Sequence, residues 1–246
     1  MIRALVTAVL GFCGVPVWAN SCDNFTYDRV PYTICEVDLD ETSLRLFLNN
    51  EAGAPFGHFA AINRSLEKDG KQLGFAMNAG MYHDDRAPVG HYVEDGTEKM
   101  RVITSDGPGN FGLLPNGVFC IREERADVIE TLRFVEEVPD CVFATQSGPM
   151  LVIDGDLHPR FLPDSTSRYI RNGVGTSTDG KRAIFAISGI PVTFHQFGRL
   201  FQDGIGVPNA LYFDGKVSRL YAPELNRSDA GFRLGPIVGT VEPLAN

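Results

Sequence analysis

The sequence predicts an α+β fold: a single domain on a mixed, mainly antiparallel, curved β-sheet with a few packing helices. Three observations predict it. Asp-Gly turn dipeptides recur at Asp95-Gly96, Asp154-Gly155, Asp179-Gly180 and Asp214-Gly215 between short apolar runs, which is the pattern of hairpins. Only two stretches carry apolar residues at convincing helical spacing, too few for a regular alternation of strands and helices. No fixed-period repeat, low-complexity run or linker divides the chain.

In chain order, Arg3 precedes an apolar run over residues 4–15, Pro16 breaks it, and Val17-Trp18-Ala19 offers small residues for signal peptidase. Residues 1–19 therefore read as a signal peptide and residues 20–246 as the mature domain. That run is too short for a membrane span, and no later segment approaches about 20 consecutive apolar residues, so stable membrane insertion is not expected. Residues 34–39 and 44–48 alternate apolar with polar and predict a hairpin joined through Asp40-Glu41-Thr42. Residues 57–68 predict a helix closed by Asp69-Gly70, and Leu73-Gly-Phe-Ala-Met-Asn78 a small-residue strand suited only to a sheet centre. Residues 89–94 and 98–103 flank the Asp95-Gly96 turn. Residues 122–125 read as a solvated turn, and 127–134 as a strand or a short helix. Further strands are predicted at 150–153, 173–176, 183–188, 211–213, 217–221 and 236–241. Between two of them lies the second helix, running from Thr193 to Asp203: Phe194, Phe197, Leu200 and Phe201 share a face, Thr193 with Gln196 makes a capping box, and Gly204, Gly206 and Pro208 end it.

Signal removal takes Cys13 with it and leaves Cys22, Cys35, Cys120 and Cys141, an even number in an oxidising compartment. The economical pairing is Cys22 with Cys35 and Cys120 with Cys141. A metal site is disfavoured because the spacings hold no Cys-x-x-Cys element and no histidine at ligand spacing. The expected location is the periplasm or the exterior. Net charge is −9 over the full chain, and becomes −10 when Arg3 is lost. An acidic chain without basic clusters argues against nucleic acid and anionic membrane as partners, while one or two placed arginines suffice for a small anion.

Several polar residues stand where a strand ends at glycine or proline: Asn78, Asn116, Gln146 with Ser147, Arg171 with Asn172, and Asp214. Turn chemistry explains any one of them. Five such positions point to strand ends gathered around a common cleft. Arg171, with Arg168 behind it, suits a phosphate or carboxylate, since a planar guanidinium binds either, and the neighbouring glycines admit an anion to backbone N–H groups. Asp203 and Asp214 are the most economical pair of carboxylates for glycoside cleavage. Glu94 and Asp154 are substitutes, each also explained by its neighbouring turn. His83, beside Asp84 and Asp85, is a candidate proton donor or phosphate contact. Ser147 lacks the Gly-x-Ser-x-Gly elbow of serine hydrolases, and no P-loop or dinucleotide fingerprint is present.

Six stretches resemble one family. They are Phe75-Ala-Met-Asn-Ala-Gly-Met81, Pro88-Val-Gly90, Gly109-Asn-Phe111 with Pro115-Asn-Gly-Val-Phe119, Thr145-Gln-Ser-Gly-Pro-Met-Leu-Val-Ile-Asp-Gly155, Arg171-Asn-Gly-Val-Gly175 and Asn209-Ala-Leu-Tyr-Phe-Asp-Gly215. They resemble the phosphodiester glycosidases, in particular an exported bacterial branch related to the animal enzyme that uncovers mannose 6-phosphate by removing N-acetylglucosamine. Lys216 and Val217 stand where the animal enzyme has glycines. The resemblance implies a cleft containing Asn78, Arg171, Asp214 and Ser218, with Gly80 among the substrate-binding candidates and room for a divalent cation, but no certain cofactor and no defined ligand set.

The function expected from residues and resemblance together is hydrolysis of a sugar-1-phosphodiester, in the setting of envelope glycopolymers, with a sugar-phosphate or glycan as substrate. Arg171 holds the phosphodiester in this reading, Asp214 serves as base, nucleophile or cation stabiliser, and acid catalysis falls to Asp203 or His83. Asn78, Asn116, Gln146, Ser147, Asn172 and Ser218 are the candidates for contacting the sugar. The alternatives are a non-catalytic envelope protein that binds anionic glycan, and a phosphodiesterase that cleaves P–O.

Overall fold

In the computed structural model, residues 21–244 are described; the expected signal peptide lies outside them. The chain opens with β1 (Ser21–Tyr27), β2 (Val30–Asp38) and β3 (Leu44–Phe47), followed by α1 (Phe59–Leu66) and β4 (Lys71–Asn78). Next come β5 (Tyr92–Glu94), β6 (Thr97–Met100), β7 (Gly117–Ile121), β8 (Ala126–Glu130), α2 (Thr131–Glu137) and β9 (Phe143–Ser147). A third group is β10 (Met150–Ile153), β11 (Asp156–Leu157), β12 (Asn172–Thr176), β13 (Arg182–Ser188) and α3 (Phe194–Arg199). The chain closes with β14 (Asn209–Asp214), β15 (Leu220–Ala222), β16 (Arg227–Ser228) and β17 (Ile237–Pro243).

These strands form three sheets, in the orders β1-β2-β13-β12-β14-β10-β11, β16-β15-β4-β17-β3 and β6-β5-β9-β7-β8. Every strand pairing among the described residues is antiparallel, so the sheet arrangement is α+β as expected but not mixed. One face of each sheet contributes to a shared core that includes Val37, Leu46, Phe75, Met77, Phe119, Phe185, Leu211 and Phe213. The outer faces are covered by helices: α1 packs with Leu73 and Ile237, α2 through Phe134 with Val118, and α3 through Phe197 with Leu151 and Ala186. With both faces covered, β14 reads as continuously apolar, and its residues divide by alternation. Leu211 and Phe213 enter the shared core, while Ala210 and Tyr212 face α3.

The glycines of β12 have a packing reason. A Cβ on Gly173 would lie 3.3 Å from the Phe197 ring and 2.4 Å from the Leu211 carbonyl oxygen, and one on Gly175 would lie 2.6 Å from Val207. They let the α3 aromatics settle onto the sheet. The capping box of α3 forms as expected: Gln196 N–H donates to Thr193 Oγ1 and Thr193 N–H to Gln196 Oε1, both at 3.1 Å. The helix then widens into a π-helical segment (Leu200–Ile205) before Gly206 stops it in a left-handed conformation, φ 80°.

Both expected disulfides are present. Cys22–Cys35 joins directly paired residues of β1 and β2, and Cys120–Cys141 ties β7 to the segment after α2.

Two predicted hairpins are not hairpins. β2 pairs with β1 and β13, whereas β3 pairs with β17 in another sheet, so the 40–42 turn crosses between sheets. Likewise β14 and β15 belong to different sheets. Asp214 and Gly215 are absent from the positive-φ positions, where Asp154-Gly155 (φ 49° and 92°) supplies the geometry of a tight hairpin. Residues 217–219 consequently stay outside β15. The ambiguous 127–134 stretch divides into the end of β8 and the start of α2, where the Glu130 carboxylate accepts from Leu132 N–H (2.9 Å) and Arg133 N–H (3.0 Å). Strands β1 and β9 had no sequence signal strong enough to predict them.

Candidate active site

The crossing from β14 to β15 is held by two asparagines. Asn172, at the start of β12, donates from Nδ2 to the Asn78 carbonyl (2.8 Å) and side-chain oxygen (3.1 Å) at the end of β4. Its Oδ1 accepts from Asp214 N–H at 3.2 Å, and Asn78 Oδ1 accepts from Arg219 N–H at 2.9 Å. Both ends of the 214–219 segment are thus tied to the same amide pair. Ser218 Oγ lies 2.7 Å from the Asp214 carbonyl oxygen, 2.9 Å from that of Ile170 and 3.3 Å from Asn172 Oδ1, fastening the middle. Asn78 and Asn172 are fully buried. Buried amides require such partners, and here they convert two strand ends into a rigid mount.

The mount presents Asp214. Its Oδ1 accepts from Gly215 N–H (2.6 Å) and Lys216 N–H (2.8 Å). Burial pushes its pKa above the ordinary carboxylate value, opposed by the N–H groups of Lys216, Gly215 and Val217 and by the Lys216 ammonium. Asp214 lines a cleft of about 510 Å³ together with Tyr82, Asn110, Tyr169 and Tyr212, and among the described residues it is the only acidic one lining it. Tyr82 feels the same carboxylate: burial raises its pKa first, and the Asp214 charge adds to the rise.

Arg171 stands behind two of these aromatics and does not itself line the cleft. It is 1% exposed. Nε donates to the Val192 carbonyl (2.9 Å), one Nη to the Ser167 carbonyl (3.3 Å), and the guanidinium lies 3.6 Å from the Phe194 ring centroid, 5.3 Å from Tyr212 and 5.5 Å from Tyr169. Its remaining Nη has no hydrogen-bond partner of ordinary geometry, and among the described residues no carboxylate pairs with it. Burial draws its pKa down, with Tyr212 and Tyr169 opposing.

The other predicted positions divide. Gln146 Oε1 accepts from His91 N–H and Ile103 N–H, both at 3.0 Å, while Nε2 donates to the Ile103 carbonyl (2.7 Å) and Thr131 Oγ1 (3.1 Å). That uses every hydrogen-bonding position of its amide. Asn116 joins the same network, accepting from Thr131 Oγ1 at 2.7 Å and donating to the Phe111 carbonyl at 2.9 Å. These two residues brace the 103–116 loop. Ser147 Oγ donates to the Phe213 carbonyl at 3.0 Å, joining two sheets. At Gly80 (φ 149°) a Cβ would lie 3.0 Å from Thr145 Oγ1, so its small size serves packing between β4 and β9. Arg168 donates to Gln196 Oε1 at 2.7 Å at the entrance of α3.

Asp203 is not beside Asp214: its Oδ2 accepts from Arg199 Nε (3.0 Å) and Tyr27 Oη (3.3 Å) at the surface. His83 sits exposed in the 83–87 turn, outside the cleft lining, although Tyr82 next to it is within. Asp154 forms a two-point pair with Arg133 (2.7 and 3.1 Å), and Glu94 accepts from Leu48 N–H (3.2 Å) in a separate pocket. Among the described residues, no group of three or more His, Cys, Asp or Glu is placed to hold a metal ion. The sequence reading missed Tyr212, Tyr82, Tyr169 and Asn110. For Tyr212 a signal existed: it lies two residues before Asp214 on one strand, and so on the same face.

The family model described as phosphodiester glycosidase matches residues 71–234. The chain is 30% identical over 209 residues to the uncharacterized protein YigE of Escherichia coli (strain K12), covering 84% of this chain and 81% of that one. Among solved structures, a hypothetical protein from Synechocystis is similar, with TM-score 0.61 and 14% identity. That match covers 89% of this chain and spans only 61% of the Synechocystis chain. The zebrafish N-acetylglucosamine-1-phosphodiester alpha-N-acetylglucosaminidase catalytic domain, auto-inhibited by its pro-peptide, is similar with TM-score 0.59 and 14% identity, covering 89% and 81%. At that identity the structural likeness speaks for the fold alone.

Proposed function

The chain belongs to the phosphodiester glycosidase family, and from that premise we propose that it is an exported hydrolase cleaving the glycosidic bond of a sugar-1-phosphodiester. The observation that carries the proposal is the cleft whose one acidic lining residue, Asp214, has a carboxyl pKa raised by burial. A carboxylate of raised pKa is a better base near neutral pH than an ordinary one. Here it would take a proton from the water that attacks C1. With a single carboxylate in the cleft, one displacement with inversion at C1 is the economical course, since a double displacement also needs a second group to activate water.

Asn78, Asn172 and Ser218 hold the Asp214 turn in this reading, and Arg171 supplies positive charge behind Tyr169 and Tyr212. Two disulfides support an oxidising compartment, periplasmic or exterior, and envelope glycopolymer is the corresponding source of substrate. Among the described residues no helix is long and apolar enough to cross a membrane. The absence of basic clusters continues to speak against nucleic acid as a partner.

The test is hydrolysis of synthetic sugar-1-(methyl phosphate) diesters in oxygen-18 water. Label in the sugar, with an Asp214→Asn rate lower by roughly 10²–10⁴-fold, is expected. Label in the phosphate would assign P–O cleavage instead, and an Asp214→Asn variant with full turnover would remove Asp214 from the chemistry.

A further inference from the structure

Tyr212 is 0% exposed, yet its ring forms part of the cleft wall, and its hydroxyl has no hydrogen-bond partner. The Arg171 guanidinium and the Asn110 side chain approach its oxygen as donors and oppose the rise that burial causes in its pKa, but no acceptor takes its own proton. Gly215 leaves it room: a Cβ there would meet Tyr212 Oη at 2.2 Å. The Tyr212 hydroxyl proton therefore has no acceptor, and the Arg171 guanidinium beside it is a buried cation with no counter-charge among the described residues. An unmet donor and an unpaired buried charge both cost stability, and a bound anion would relieve both.

We infer that the Tyr212 hydroxyl, with the Arg171 guanidinium behind it, is the group that receives the phosphate oxygen as it leaves C1. This rests on the hydrolase reading above and adds to it a residue that neither motif nor fold assigns. In the step, the C1–O bond breaks and its electron pair goes to the phosphate oxygen, which departs as a phosphomonoester dianion. Water forms the new C1–O bond, and its proton passes to Asp214 and then to solvent.

The leaving dianion has a conjugate-acid pKa of about 6, so it departs at neutral pH without being protonated. Most glycosidases need a second carboxyl because their leaving alkoxide is strongly basic. This cleft has one carboxylate and, opposite in character, a hydroxyl donor backed by a cation. What the reaction requires at that end is charge stabilisation, and that is what Tyr212 and Arg171 offer. Asp203 and His83 are then not needed as acids, in keeping with their places outside the cleft.

The test uses Tyr212→Phe, which removes only the unpartnered hydroxyl, beside Asp214→Asn. Expected for Tyr212→Phe are an unchanged or higher Tm and a kcat on the methyl phosphate diester lower by on the order of 10²-fold, with KM changed much less. Calorimetry with methyl phosphate, the departing group itself, should show affinity reduced roughly 10-fold in Tyr212→Phe and retained in Asp214→Asn. Full kcat and full methyl phosphate affinity in Tyr212→Phe, with Asp214→Asn inactive, would overturn the role of Tyr212 and leave the hydrolase reading standing. An active Asp214→Asn would instead overturn the reading. As a measurement independent of that variant's folding, 3-fluorotyrosine placed at position 212 should shift its fluorine resonance on addition of methyl phosphate. An unmoved resonance would overturn the contact.

Discussion

Asn172 and Asn78, 94 positions apart in sequence, meet as a buried amide pair, with Asn172 Nδ2 donating to the Asn78 carbonyl at 2.8 Å. The pair joins the strand β12 of one sheet to the strand β4 of another, and the Asp214 turn hangs from it. This contact makes a site out of three strand ends.

Asn172→Ala should therefore act on stability and activity together. It strands the Asp214 N–H and takes one partner from each of the two Asn78 oxygens, of which Oδ1 keeps Arg219 N–H, in a buried setting where a lost partner costs about 1–3 kcal/mol. Urea unfolding should show a loss of roughly 2–4 kcal/mol, and turnover should fall because the Asp214 mount loosens. An unchanged midpoint would mean the pair carries no load.

Asp214→Asn should be more stable than the parent protein at neutral pH. The folded pKa of Asp214 is raised above its ordinary 3.8, so the folded state keeps the proton where the unfolded chain has released it. The stability this contributes is complete below the unfolded pKa and is lost as pH rises through the folded one. The Tm gap between variant and parent should widen with pH across that window and then level off. A gap that narrows with rising pH would contradict the raised pKa.

Lys216→Gln removes an ammonium that holds the Asp214 pKa down. The acid limb of the kcat/KM profile should move to higher pH, while maximal kcat changes little if Lys216 only tunes the carboxylate. A limb that stays in place would show that Asp214 is not the group titrating there.

Asp203→Asn should keep turnover. Its carboxylate engages Arg199 and Tyr27 at the surface, and an exposed pair of this kind is worth about 0–1 kcal/mol. A rate loss comparable to that of Asp214→Asn would restore Asp203 as a partner in catalysis.

Local chemistry was legible in the chain wherever the partners are close in sequence. The Thr193/Gln196 box, the αL stop at Gly206, the Asp95-Gly96, Asp154-Gly155 and Asp179-Gly180 hairpins and the 13- and 21-residue disulfide loops all follow from near neighbours. Asp214-Gly215 shows the limit. The same dipeptide that closes β10 onto β11 is diverted at Asp214 into a crossing between sheets, because the bonds from Asn172 and Ser218 are available there and not at Asp154. Gln146 and Asn116 show it again: at strand ends like Asn78, they are bound to Thr131 and the 103–116 loop.

By itself the sequence determined the family, the α+β class, the strand bearing Asp214 and the residues Asn78, Arg171 and Asp214 as a set to examine together. Tertiary structure alone decided that Asn78 and Asn172 carry the Asp214 turn, that Arg171 is buried behind Tyr212 without a counter-charge among the described residues, and that Asp203 lies elsewhere. The reason is physical: periodicity and turn chemistry encode which face of an element is apolar and where it bends. Which polar side chains then meet depends on how three sheets close over one core, and Asn78, Asn172 and Asp214 each come from a different strand end.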